Sequence, residues 1–147
     1  MVRRACEDDL GALVAMARAF YAQSGYGSLL TFSDSVVRSR AEYMLGAHDE
    51  GGILVNDDVT GAIWFEVYPS PVSDDLLASE RILWVDKATR VRSPMTALAL
   101  VRAYEREAKA RGAKFTTLSR QMMNEQAAAF YTAMKYRPSD VLYAKEL

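Results

Sequence analysis

A chain of 147 residues has the length of one ordinary domain, and with half its residues hydrophobic and a quarter charged it can bury a core without staples. A net charge of −1 gives no electrostatic reason for a nucleic-acid or anionic-membrane partner. The single cysteine, Cys6, excludes an intrachain disulfide, and no apolar run approaches the roughly 20 residues of a membrane span.

The opening MVRRACEDDL turns acidic at once and has no apolar stretch of the kind that directs secretion, so a cytoplasmic protein is expected. Val2 to Cys6 reads as a short extended piece. With no neighbour to lower its pKa, Cys6 is expected to be a small buried residue and not a nucleophile. Leu10, Leu13, Val14, Ala17, Phe20 and Tyr21 recur at helical spacing, which predicts an amphipathic helix over Asp8 to Gln23, broken by Ser24 to Ser28. Ser33 or Asp34 can cap a second helix through about Leu45, with a weaker apolar stripe. The GAHDEGG loop holds His48, the one histidine, expected to be solvated. Ile53 to Val55, the turn Asn56-Asp57-Asp58 and VTGAIWFEVY form a predicted hairpin.

Ser79 to Asp86 alternates well enough for another strand. A helix follows the Arg90 region, with Ala97, Leu100, Val101, Tyr104 and Ala108 on its apolar face and Gly112 as its stop. Lys114 to Ser119 is a β-rich run and Asn124 to Lys135 is helical. Pro138 ends that helix, and Val141 to Lys145 reads as a last strand. The order β-α-α-β-β-β-α-β-α-β predicts an α/β fold in one domain over residues 1–147. Its sheet is mixed, with helices packed on both faces.

The segment R-V-R-S-P-M before the long helix has two readings. A helix N-terminus after a strand presents free N–H groups and a positive field, and Arg90 and Arg92 add bidentate donors, so the segment suits a pyrophosphate. Against that, Ser93 and Met95 restrict backbone approach and Pro94 has no N–H. Ser93 as N-cap and Pro94 at the first helical position would make an ordinary helix start. No cluster of His, Cys and Asp offers a metal site, no G-x-S-x-G supports a serine hydrolase, and no basic stripe with interleaved aromatics points to nucleic acid.

The element order resembles the GNAT superfamily of acyl-CoA-dependent N-acyltransferases over nearly the full length. VRRACEDDLGALVAMARAF is similar to its first strand and helix, and ILWVDKATRVRSPMTAL to its central strand, pyrophosphate loop and helix. Arg90 matches the loop's basic position, while Ser93 and Met95 stand where the family has glycine. NEQAAAFYTAMKY matches a second motif through Asn124, Ala127, Phe130 and Tyr131, with Lys135 in place of the usual glycine and Tyr136 in place of Phe.

The resemblance implies acetyl-CoA as co-substrate and an amine as acceptor, with direct attack on the thioester. Backbone around Trp84, Val85 and Lys87 would pair with the pantetheine arm, and Asn124 would lie beside it. Arg90, Val91, Arg92, Ser93, Met95 and Thr96 would hold the pyrophosphate. Tyr131 would protonate the departing thiolate, and Glu80, or else Glu66, would take the amine's proton. Tyr21, Tyr26, Phe32 and Tyr43 fall where the family shapes its acceptor pocket, although core packing explains them equally. A homodimer is compatible with the resemblance. The alternative is a GNAT-fold binding or assembly module that has lost cofactor affinity.

Overall fold

The computed structural model describes residues 1–46, 49–120 and 124–147; His48 lies outside the described residues. Five strands, β1 (Val2–Arg4), β2 (Gly51–Asn56), β3 (Gly61–Pro69), β4 (Leu76–Val85) and β5 (Ala113–Thr117), form one sheet in that spatial order. The first four are antiparallel to their neighbours, and β5 runs parallel to β4. The helices are α1 (Leu10–Gln23), α2 (Asp34–Gly46), a short α3 (Lys87–Arg92), α4 (Thr96–Ala110) and α5 (Glu125–Ala133).

Alternation along the strands sorts side chains between two cores. Ile53 and Val55 of β2 and Ala62 and Trp64 of β3 face Leu13, Met16 and Ala17 of α1 and Ala41 and Met44 of α2. Leu54, Ile63, Phe65 and Val67 point the other way, onto Leu100, Val101, Tyr104 and Ala108 of α4. The α4 stripe is the 3.6-residue pattern seen in the sequence. Tyr104, Phe65, Leu13 and Ile63 are the largest fully buried side chains.

One strand breaks its own alternation. Phe65 pairs with Glu80 while the adjacent Trp64 pairs with Ile82, so Arg81 is an extra residue in β4, a β-bulge. Before the bulge, even-numbered residues such as Leu76 and Ala78 face α4. After it, Leu83 and Val85 do, and Ile82 and Trp84 turn to the α1–α2 side. The bulge thereby keeps both ends of a long strand apolar on the correct faces.

Two turns explain local sequence. Asn56 closes the β2–β3 hairpin through its side chain: Oδ1 accepts from the Thr60 and Gly61 N–H groups at 3.0 and 2.8 Å. Gly51 sits at φ +150°, and a Cβ there would lie 2.2 Å from the Phe65 carbonyl oxygen, so only glycine lets β2 start against β3.

Four expectations are corrected. Cys6 is exposed: it is the N-cap of a 3-10 turn at Glu7–Asp9 at the surface, where its thiol reaches Asp9 Oδ2 at 3.5 Å. That turn takes Asp8 and Asp9 from the predicted first helix, which begins at Leu10. The segment Lys87–Arg92 is helical instead of loop, and Ser93 closes it. Val141 to Lys145 carries no strand; Leu142 and Tyr143 are 85 and 95 % exposed, and a five-residue run gains nothing as a strand without a ladder to join.

Candidate active site

Strands β4 and β5 part company at one point. Their pairing runs through Ala78↔Thr116 and Ser79↔Thr117 and goes no further, while β4 continues to Val85 against β3. From Glu80 onward the β5-side edge of β4 is therefore unpaired by β5. Glu80 occupies the fork, just before the bulged Arg81.

Glu80 is 6 % exposed. Its Oε2 accepts two hydrogen bonds from one residue: the Ser119 N–H at 2.9 Å and the Ser119 hydroxyl at 2.7 Å. The Arg81 charge favours its carboxylate form, but ranks behind burial and the Ser119 donors. The guanidinium of neighbouring Arg81 points to the other face and donates from Nε and Nη2 to Glu66 at 2.9 and 2.6 Å. Burial pushes the Glu80 carboxyl above the usual carboxylate range, and the Ser119 donors only partly oppose it.

Tyr131, on α5, reaches the same place from the opposite side. Its hydroxyl donates to the Ser119 carbonyl at 2.9 Å. Burial holds its phenol well above the ordinary tyrosine value, so it stays protonated at neutral pH. Ser119 thus bridges Glu80 and Tyr131. Further hydroxyls tie down the end of β5: Tyr104 donates to the Thr117 carbonyl at 3.2 Å, and Thr117 Oγ1 donates to Ser79 Oγ at 2.9 Å. The Tyr136 and Thr116 hydroxyls lie 2.8 Å apart, and burial pushes the Tyr136 phenol up to about 12.

The glycine-less segment folds without any left-handed residue. Ser93 (φ −137°) ends α3, and Met95 (φ −78°) is the N-cap of α4. Neither conformation calls for glycine. The helix start imagined at Ser93-Pro94 lies two residues later, at Thr96. The Thr96 N–H is taken by the Ser93 carbonyl at 3.0 Å and that of Ala99 by the Met95 carbonyl at 2.9 Å. Ala97 and Leu98 carry the remaining first-turn donors. Lys135, in contrast, does take a left-handed φ of +67°, which accounts for the glycine the resemblance expects there.

The other sequence candidates fall as follows. Trp84 packs toward the α1–α2 core and donates from Nε1 to Asp86 at 2.9 Å, so its ring does not enter the fork. Arg90 stacks on that indole with Cζ 5.6 Å from the ring centroid. Arg92 stands with it in the last turn of α3, a helix that Lys87 opens. Val91 and Met95 are exposed, so Met95 does not plug the fork either. Val85 is buried against α4. Asn124 is the N-cap of α5, its side-chain oxygen accepting from the Ala127 N–H at 3.1 Å. Glu66 stays with Arg81. In the region expected to shape an acceptor pocket, Tyr21 and Phe32 pack at 5.5 Å between centroids with Arg18 over Phe32, while Tyr26 and Tyr43 are exposed.

Ser119 and Tyr104 were not singled out from the sequence. Ser119 closes a run that reads only as strand, and nothing in local spacing joins it to a glutamate 39 residues earlier. Among the described residues, no helix is long and apolar enough to cross a membrane.

No known family model and no curated protein sequence matches the chain. Solved structures do. An acetyltransferase from Trypanosoma brucei superposes with a TM-score of 0.72 at 15 % identity, covering 100 % of this chain and 99 % of that one. A provisionally named acetyltransferase from Agrobacterium tumefaciens str. C58 gives 0.77 at 14 % identity, over 100 % and 99 %. A transcriptional regulator from Bacillus halodurans C-125 gives 0.79 at 18 % identity, over the same shares. The chain has a GNAT-like fold: a mixed five-stranded sheet with helices, shared with structures named as acetyltransferases.

Proposed function

We propose that this protein transfers an acetyl group from acetyl-CoA to a primary amine by direct attack, without a covalent enzyme intermediate. The observation that carries the reading is the fork between β4 and β5, with a buried glutamate held by neutral Ser119 donors at its apex and a protonated tyrosine beside it. The residues present fit the co-substrate. The edge of β4 that β5 leaves unpaired, through Trp84 and Val85 to the start of α3 at Lys87, would accept the pantetheine arm as an added strand. The Asn124 amide nitrogen, not used in capping, would serve the same arm. Arg90, Arg92 and the first-turn N–H groups of α4 would hold the pyrophosphate.

The chain's own residues supply the proton transfers. Glu80 takes a proton from the incoming amine, whose lone pair then forms the C–N bond. A backbone N–H of β4 polarises the thioester carbonyl as negative charge grows on its oxygen. When the C–S bond breaks, the thiolate takes the Tyr131 proton. A carboxyl above its ordinary range is a stronger base at neutral pH, and a partly buried phenol keeps its proton until a strong base arrives.

Calorimetry with acetyl-CoA tests the reading. Micromolar binding that weakens about tenfold in Arg90→Ala is the expected outcome, the loss of one charge-assisted contact. No binding at millimolar acetyl-CoA would overturn it and leave a GNAT-fold binding module.

A further inference from the structure

We propose that Ser119 is a positioning residue that assigns separate tasks to the two oxygens of Glu80 and fixes Glu80 and Tyr131 to one rigid point. This rests on the acyl-transfer reading of the fork. Three bonds converge on Ser119: its N–H and its hydroxyl both end on Glu80 Oε2, and its carbonyl accepts from the Tyr131 hydroxyl.

The convergence has a geometric consequence. Two donors on Oε2 saturate that atom and orient the carboxylate plane, with the Leu83 backbone N–H as a further donor near the carboxyl group, and Oε1 is left to take the proton from an amine. Both donors are neutral, so they stabilise the carboxylate less than a cation would, and the base keeps its strength. The Tyr131 proton is meanwhile parked on a carbonyl, held near the fork without being lost to the carboxylate. The distance between base and acid is then set by one residue, just past the last paired residue of β5.

The groups facing Glu80 from each packed element are few. Arg81 of β4 is its nearest cation but is bonded to Glu66 of β3. Tyr104 of α4 and Tyr131 of α5 are protonated phenols, and each titrates upward partly because Glu80 is near. Neither carries charge at neutral pH; after burial, the two Ser119 donors outrank the Arg81 charge and the Leu83 backbone N–H as influences on the carboxylate.

The test follows the Glu80 side-chain carboxyl carbon by NMR through a pH titration, assigned by its disappearance in Glu80→Gln. It needs no acceptor and no turnover, so its result stands apart from the acetyl-CoA experiment. In Ser119→Ala the N–H bond survives and the hydroxyl bond is lost, so the midpoint is expected to rise by about one pH unit. Ser119→Thr keeps both donors and should return it to the wild-type value. Should Ser119→Ala not fold, Ser119→Cys, with its weaker S–H donor, should give a smaller rise in the same direction. An unchanged midpoint in a folded Ser119→Ala or Ser119→Cys would overturn the proposal, as would a Ser119→Thr midpoint displaced like that of Ser119→Ala, which marks a packing effect. Where acetyl-CoA turnover is measurable, the acid limb of kcat/KM should move with the NMR midpoint. A limb that stays put would sink the link to catalysis and leave the acetyl-CoA binding result untouched.

Discussion

Asp9 and Glu80 are each 6 % exposed, yet their surroundings push them in opposite directions. Asp9 receives the Arg3 guanidinium in two-pronged fashion, at 2.7 and 3.0 Å, and the Cys6 N–H at 2.9 Å. Arg3 first, and the Cys6 donors after it, hold the carboxyl down at about 2. Glu80 has as many close donors from Ser119 as Asp9 has from Arg3, but neutral ones, and burial wins. Two things differ between them: Asp9 is answered by a guanidinium, and Glu80 lies much deeper with neutral donors, so desolvation dominates there. One carboxylate is spent on anchoring the N-terminal strand to its helix. The other is left electrostatically uncomfortable, as proton-transfer sites commonly are.

The strongest way to break this comparison is to remove the reactive carboxylate. Glu80→Gln is isosteric and should lower acetyl transfer by at least about 100-fold, measured as CoA thiol release with an accepted amine, while acetyl-CoA binding persists. Tyr131→Phe should show a smaller loss of kcat with the same retention of binding. Undiminished turnover in Glu80→Gln would make Glu80 a structural residue like Asp9.

Asp9→Asn probes the other side. Losing the charge-assisted pair should cost about 2 kcal/mol, or a fall in Tm of about 5 °C by calorimetry. Because the folded-state pKa of Asp9 is depressed, its contribution is present above the ordinary aspartate value and is lost as pH falls toward 2. The Tm gap between wild type and Asp9→Asn should accordingly close over that window.

The smallest expected effect has the opposite sign. The folded-state pKa of Glu80 is raised, so its stabilising contribution is complete below the ordinary glutamate value and is lost as pH rises through the folded value. Glu80→Gln should then melt slightly higher than wild type at neutral pH and converge with it in acid. A lower Tm at neutral pH would mean that the Ser119 bonds outweigh burial.

Much of the architecture was legible in the sequence because it is written in local periods. The apolar stripe of α4 and the hairpin turn at Asn56 depend on residues within a few positions of each other. Val141 to Lys145 shows the limit of that logic: its composition is that of a strand, but a strand exists only with a neighbour. The same limit hid the bulge at Arg81, which lets a ten-residue strand change the face it shows without any turn residue to announce it. Glu80 and Tyr131 could be picked out by residue type and motif. Their meeting at Ser119 could not, since it depends on where β4 and β5 stop pairing and on how α5 folds back over the fork. Periodicity is a property of neighbours along the chain, and it determined the elements. The fork, the charge environment of Glu80 and the role left to Ser119 are properties of neighbours in space, which only the packed sheet and helices decided.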